Sequence, residues 1–250
     1  MKGFIILGLG ISSVLSAQTD SVQIKEIQEV SFTKRVPVSK EIINVEKDLG
    51  AKNLGQDLPI LLKNQMSVIS TSDAGNGVGY TGFRIRGTAG TSINVMLNGV
   101  PYNDSESQGT YFVNIPDMAS SASQIVIQRG VGASSNGTAS FGASVNILTK
   151  KPEEKAYALG QFSSGSFNTM KTSFEAGTGK FFNNLFSVSA RYSTINSNGY
   201  IDRAFSKLNS YNINALFEKG NTKLRFLAFG GKEKTYQAWN GIDKATYETN

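Results

Sequence analysis

Between Met170 and Phe217 the chain alternates apolar and polar residues with a period of two. Met170, Thr172, Phe174 and Ala176 oppose Lys171, Ser173 and Glu175; Phe186, Val188, Ala190 and Tyr192 oppose Ser187, Ser189, Arg191 and Ser193. Tyr211, Ile213, Ala215 and Phe217 oppose Asn212, Asn214 and Glu218. Successive side chains of a strand point to opposite faces, so each run is a strand with one apolar and one polar face. Strands of roughly ten residues built this way are what a membrane barrel requires. A soluble two-sheet sandwich has the same alternation, and the pattern alone leaves both open. The connections are short at Ser164–Phe167, Lys180–Asn184 and Glu218–Thr222, and long and polar over 195–208, with another polar segment from Lys232. If the first strand rises from the periplasm, the long loops fall outside, the asymmetry that outer-membrane barrels show.

The N-terminus points to export. Met1-Lys2 is a short positive start, Phe4–Leu15 contains only apolar, Gly and Ser residues, and Ser16-Ala17 offers small residues for cleavage. This is a secretory signal pattern, too short to span a bilayer, and residues 1–17 are expected to be removed. No later run approaches the 18 or more apolar residues of a spanning helix, so strands are the only route across a membrane.

Composition narrows the chemistry. The chain has neither cysteine nor histidine. Disulfides, thiol nucleophiles, Ser-His-Asp catalysis and histidine-bound metals are therefore excluded, and an enzyme is not expected. The net charge of +6 comes from dispersed basic residues, which read as solvated surface and not as a nucleic-acid groove.

Residues 18–48 are polar and charged and read as a flexible segment with one extended stretch, Ile27–Thr33. Apolar residues at 54, 58, 61, 62 and 66 have helical spacing, with Asp57 as N-cap and Pro59 in the first turn. Short strands follow at Phe83–Gly87, Ile93–Leu97 (closed by the Asn98-Gly99 turn), Ile125–Gly130 and Ser144–Thr149, with Gly/Ser-rich connections over 72–82, 101–112 and 130–143. This is a mixed α/β domain over 49–152, and the alternating strands occupy 153–250. Gly77-Val78-Gly79-Tyr80-Thr81-Gly82 has the dinucleotide spacing, but a strand follows it where that motif needs a helix. The loop from Asp104 has Ile115, not an acid, at the twelfth position of a calcium loop.

Three pieces in order resemble the plug domain of TonB-dependent outer-membrane receptors: Phe83-Arg84-Ile85-Arg86-Gly87, Ile93–Leu97 continued by Asn98-Gly99-Val100-Pro101, and Ile125-Val126-Ile127-Gln128-Arg129-Gly130 continued through Phe141-Gly142 and Val145-Asn146-Ile147. The stretch Tyr102–Ser121 is similar to Bacteroidetes-type members. The resemblance implies a mixed α/β plug followed by antiparallel transmembrane strands, in a barrel of about 22 strands when complete. Residues 153–250 hold about five strands, fewer than the roughly eight at which single-chain barrels begin. The expected architecture is thus an incomplete plugged barrel, the N-terminal fragment of a longer receptor.

The resemblance also implies a job: energised uptake of a scarce nutrient, most often a ferric siderophore or similar iron complex. The implied partners are TonB with its inner-membrane complex, outer-membrane lipid and the small-molecule nutrient; no cofactor, resident metal or nucleic acid is implied. By position the TonB box falls on Ile27, Gln28, Glu29, Val30, Ser31, Phe32 and Thr33. Such a box works by strand addition, which reads backbone more than side chains. Tyr80, Tyr102, Asn103, Tyr111 and Trp239 are candidate ligand contacts, and Tyr236 is a further one. Arg84, Arg86 and Arg129 are expected to pair with carboxylates, and Gly87, Gly99, Gly130 and Gly142 to permit tight turns. A secreted β-rich surface-binding module without transport is the alternative reading.

Overall fold

The computed structural model describes residues 39–131, 141–236 and 243–249. The signal segment, the Ile27–Thr33 stretch and Trp239 lie outside these residues. Two five-stranded sheets and a two-stranded ribbon make up the architecture. The first sheet contains β1 (Ser39–Asn44), β4 (Ile93–Leu97), β5 (Val100–Pro101), β6 (Ala122–Arg129) and β7 (Ala143–Thr149), in the order β1-β6-β7-β4-β5. β4 and β7 pair in parallel, and the other neighbours are antiparallel. β2 (Val68–Ser72) and β3 (Thr81–Ile85) form the ribbon, and the short helices α1 (Leu58–Leu61) and α2 (Met118–Ser121) add buried residues to the same core.

β4 is buried at all five positions, as a strand covered on both faces is, whereas β6 and the second half of β7 alternate buried with partly buried residues. Ile93, Val95, Ile125, Ile127, Val145 and Ile147 are all buried in one cluster that also takes in Leu58, Leu61, Leu62, Phe83 and Phe112. Asn98 and Gly99 have φ of 53° and 84°, the conformation that a two-residue hairpin between β4 and β5 requires.

The flexible segment expected over 18–48 ends earlier than that. Ser39–Asn44 pairs with β6 along its whole length, and Val45–Leu49 makes a helical turn that buries Val45 and Leu49. The helix expected over 54–66 contracts to α1. Gly55 at φ 114° and Ser67 at φ 59° turn the chain at either side, leaving Leu54 and Met66 exposed while Leu58, Leu61 and Leu62 stay buried.

The second sheet is a meander of β8 (Ala156–Gly165), β9 (Thr169–Phe181), β10 (Phe186–Ser197), β11 (Ser206–Lys219) and β12 (Thr222–Thr235), in sequential order and unclosed. The strands are longer than the alternating cores, so the 195–208 loop shrinks to 198–205. One face carries Phe162, Phe174, Phe186, Tyr192, Tyr211, Ile213, Leu224 and Phe226, all exposed. The opposite face carries Ser173, Ser187, Arg191, Ser193, Ser210, Asn212 and Asn214, all buried against the first domain. The pattern is the reverse of a soluble protein's: apolar side chains face outward and polar ones inward, as in a strand wall between lipid and a polar lumen. The described residues contain no helix long and apolar enough to cross a membrane.

Candidate functional site between plug and strand wall

The two parts are joined by a buried ionic centre. Asp117 sits in the left-handed region (φ 54°) just before α2, a conformation that aspartate tolerates. Its side chain is wholly buried. Oδ1 accepts from Lys171 Nζ of β9 at 2.7 Å, and Oδ2 accepts from the Arg191 guanidinium of β10 at 2.5 Å. Ser120 Oγ donates to Asp117 at 2.5 Å and accepts from Lys171 and from Asn53 Nδ2, while Arg191 Nε donates to Ser121 Oγ at 2.9 Å. Burial acting alone would raise the Asp117 pKa. The adjacent Arg191 and Lys171 charges outweigh it and hold the carboxyl below its usual range.

A second bond set ties the end of β7 to the wall. Arg225 of β12 donates to Thr149 Oγ1 and to the Lys150 carbonyl, each at 2.6 Å, and Asn214 Nδ2 donates to the same carbonyl. Charged and amide donors here satisfy backbone that would otherwise be buried without partners.

At the opposite end of the strands, the loop between β2 and β3 lies against the hairpin tips. Tyr200 N donates to Ala74 O at 2.9 Å, and Asn76 Nδ2 donates to Ser197 Oγ. A Cβ on Gly79 would lie 2.6 Å from Ser206 Oγ, and one on Gly75 would lie 3.0 Å from the Tyr200 ring. Of the three glycines with dinucleotide-like spacing, Gly79 thus serves close approach of loop to wall, whereas a Cβ on Gly77 would meet Ile60 and one on Gly82 would meet Thr71. Between α1, this loop and the β8–β9 hairpin lies a cavity of about 590 Å³, whose lining includes Gln56, Lys63, Ser72, Asn76 and Phe167. None of these five was singled out from the sequence. The exposed Phe167 at a turn (φ 59°) was the one available hint.

The sequence-named contacts scatter. Tyr80 is half-buried against Val78, Val113, Ile195 and Leu208 near the loop tip, and burial, then Glu233 and Tyr111 nearby, raise its hydroxyl pKa. Tyr111 is exposed, its hydroxyl 3.3 Å from Ser107 Oγ. Tyr102 packs against the plug core and the Phe229 ring, 6.2 Å between centroids, and burial raises its pKa. Asn103 uses its amide to tie its loop to β4, accepting from Val95 N and donating to Ile93 O and to Gln108 O. Tyr80 and Tyr111 therefore share the upper face, whereas Tyr102 and Asn103 hold the fold. Tyr236 is exposed and stacks on Phe205, ring centroids 6.2 Å apart.

Of the three arginines expected to find carboxylates, Arg129 pairs with Glu41 of β1 and donates to Met66 O. Arg84 of β3 and Arg86 just after it are instead exposed and form no ion pair among the described residues. Gly87, Gly99 and Gly130 have positive φ. Gly142 does not. A Cβ there would lie 2.3 Å from Thr88 Oγ1, so close packing, not a turn, requires glycine.

Asp57 occupies the N-cap position of α1 but makes no capping bond; its Oδ2 accepts from Thr81 Oγ1 at 2.9 Å, and Oδ1 is buried without a partner. Burial pushes its pKa up to about 7, against 3.8 for an ordinary aspartate. The folded state thus binds an extra proton between those pH values, and stability falls as pH rises from about 4 to about 7. At ~1.4 kcal/mol per tenfold change in proton affinity, the loss approaches ~4 kcal/mol. Asp57→Asn keeps the Thr81 acceptor without the charge. Urea unfolding of the plug at pH 5 and pH 8.5 should show that the variant loses this slope and exceeds the wild type at the higher pH. An unchanged slope would place the buried charge elsewhere.

Residues 33–144 match the family model described as TonB-dependent Receptor Plug Domain. No curated protein matches the chain by sequence. Among solved structures, the ferric citrate transporter FecA in its unliganded form matches at 16% identity and TM-score 0.66, over 85% of this chain and 33% of that one. The copper transporter OprC matches at 12% identity and TM-score 0.64, over 81% and 31%. The siderophore receptor PirA from Acinetobacter baumannii matches at 15% identity and TM-score 0.60, over 78% and 32%. The chain spans about a third of the length of these three proteins, and at these identities the likeness shows the fold: a plug beside antiparallel wall strands.

Proposed function

We propose that this chain supplies the plug and first wall strands of a TonB-dependent outer-membrane receptor that imports a scarce nutrient, an iron complex of the siderophore type. The observation that carries the reading is the inside-out wall. Its outward face is apolar and aromatic, and its inward face is polar and bonded to a plug of the matching family. An open sheet edge is not tolerated in lipid, so the wall works as part of a closed barrel. The solved relatives named for ferric citrate and for siderophores support the iron-complex class. In this reading the loop between β2 and β3 and the hairpin tips face outward, and the cavity beside Lys63 and Asn76 receives part of the ligand. Ile27–Thr33 is the segment that TonB grips.

The test uses the complete gene in its own cell. The product should fractionate with the outer membrane, and its deletion should abolish uptake of at least one radio-iron-labelled siderophore complex, with uptake in the parent lost on collapse of the proton-motive force. A soluble periplasmic product, or undiminished uptake of every complex tried, would overturn the reading.

A further inference from the structure

Asp57 is the joint between α1 and the 73–80 loop. Its N–H donates to Gly77 O at 2.9 Å, and its carbonyl accepts from Ile60 N and Leu61 N at the start of α1. Gly77, at φ 81°, lies so close that a Cβ there would be 3.2 Å from the Ile60 side chain. Loop and helix thus meet along a tight seam. Both line the cavity of about 590 Å³, the loop through Asn76 and Val78 and the helix side through Gln56 and Ile60.

The Asp57 carboxyl is buried, with Oδ2 accepting from Thr81 Oγ1 and Oδ1 left without a partner. Its charge surroundings are one-sided. Burial disfavours the ionised form more than the Thr81 hydroxyl of β3 and the Gly79 N–H of the loop favour it, and the negative charge of Asp117 ahead of α2 adds to the effect of burial. Lys171 of β9 and Arg191 of β10 are bound to Asp117, and no basic side chain pairs with Asp57 among the described residues. A neutral carboxyl is tolerated at such a site. A carboxylate there keeps one oxygen that neither protein donors nor solvent reach, and such an atom carries its full desolvation cost. Opening the seam admits water to that oxygen at the expense of the Asp57–Gly77 backbone bond.

We propose that Asp57 is a proton-operated latch for the 73–80 loop: protonated, it holds the loop against α1; ionised, it releases the loop and widens the cavity beside Lys63 and Asn76. The closed state binds the proton more tightly than the open one, in which water reaches the carboxyl. Closing is therefore favoured in acid, weakens as pH rises from about 4 to about 7, and is constant above that. Within this window the ratio of open to closed changes by up to about tenfold per pH unit. The latch concerns the loop with no ligand present and does not depend on the transport reading.

The experiment is amide hydrogen exchange read by mass spectrometry on the full-length protein in a non-ionic detergent, at pH 5, 6, 7 and 8.5, with rates corrected for the intrinsic effect of pH. Peptides covering 54–62 and 73–80 should exchange faster than β4, the mark of local opening. Their protection should fall at least about tenfold from pH 5 to pH 7 and then level off. Asp57→Asn keeps the acceptor for Thr81 without the charge and should hold the pH 5 protection throughout. Thr81→Val removes a donor to the carboxylate and should extend the fall above pH 7. Loop exchange that tracks β4 would mean that the plug opens only as a whole and would overturn the latch. So would wild-type protection that ignores pH, a slope that survives in Asp57→Asn, or an upper limit that Thr81→Val leaves in place.

Discussion

Asp117→Asn is expected to destabilise docking of the plug on its wall by about 3–5 kcal/mol, the usual cost of removing one partner from a buried ion pair. Asparagine accepts the left-handed backbone at this position and nearly preserves volume, so the loss isolates the charge. What remains is Lys171 and Arg191, both nearly inaccessible and neither in another ion pair among the described residues. Urea-induced release of the plug in the full-length protein would measure the effect, and a change under about 1 kcal/mol would mean that the network contributes no net docking energy. The sign with pH follows from the depressed Asp117 pKa. The contribution is fully present above the unfolded value near 3.8 and is lost as pH falls through the lower folded value. Docking should therefore be insensitive to Asp117 from pH 5 to 9 and weaken only in strong acid, the opposite direction to the Asp57 effect.

Val30→Pro is expected to abolish energised uptake while leaving ligand affinity at the cell surface unchanged. In the proposed function, strand addition to TonB uses main-chain donors; proline removes one, and its ring disfavours a neighbouring strand. Val30→Ala keeps the donor and should retain most of the uptake, because side-chain identity contributes little to such pairing. Binding and accumulation of the same labelled iron complex, measured side by side, separate the two steps. Unimpaired accumulation by the proline variant would move the box away from Ile27–Thr33.

Parts of this architecture were legible because they depend on local pattern. The period-two alternation at Met170–Ala176, Phe186–Tyr192 and Tyr211–Phe217 marks strands wherever they sit, and the apolar run at Ile93–Leu97 marks a strand covered on both faces. Ser39–Asn44 carries no strand signal of its own because its residues are mixed; of Ile42 and Ile43 only the second is buried, and pairing with β6 is what makes the segment a strand. The apolar spacing over 54–66 exceeds the helix that forms, because spacing says nothing about the backbone at Gly55 and Ser67. Asp117 gave no signal at all, since its partners lie 54 and 74 residues away and each looks like a solvated charge in isolation. Asn103, a candidate ligand contact by its chemistry, bonds to β4 and to its own loop, because an amide's commitments depend on which carbonyls come within reach.

By itself, then, the sequence determined which residues form wall strands, which of their faces is apolar, and that a plug-type domain precedes them; these follow from alternation and from short runs whose meaning is local. Only the tertiary structure decided that the apolar face points outward, that Asp117 joins plug to wall, and that Asp57 is buried with one oxygen unpartnered. Each of these depends on register and on contacts between residues far apart in the chain, and electrostatic energy depends on distance and burial, which a linear pattern does not contain.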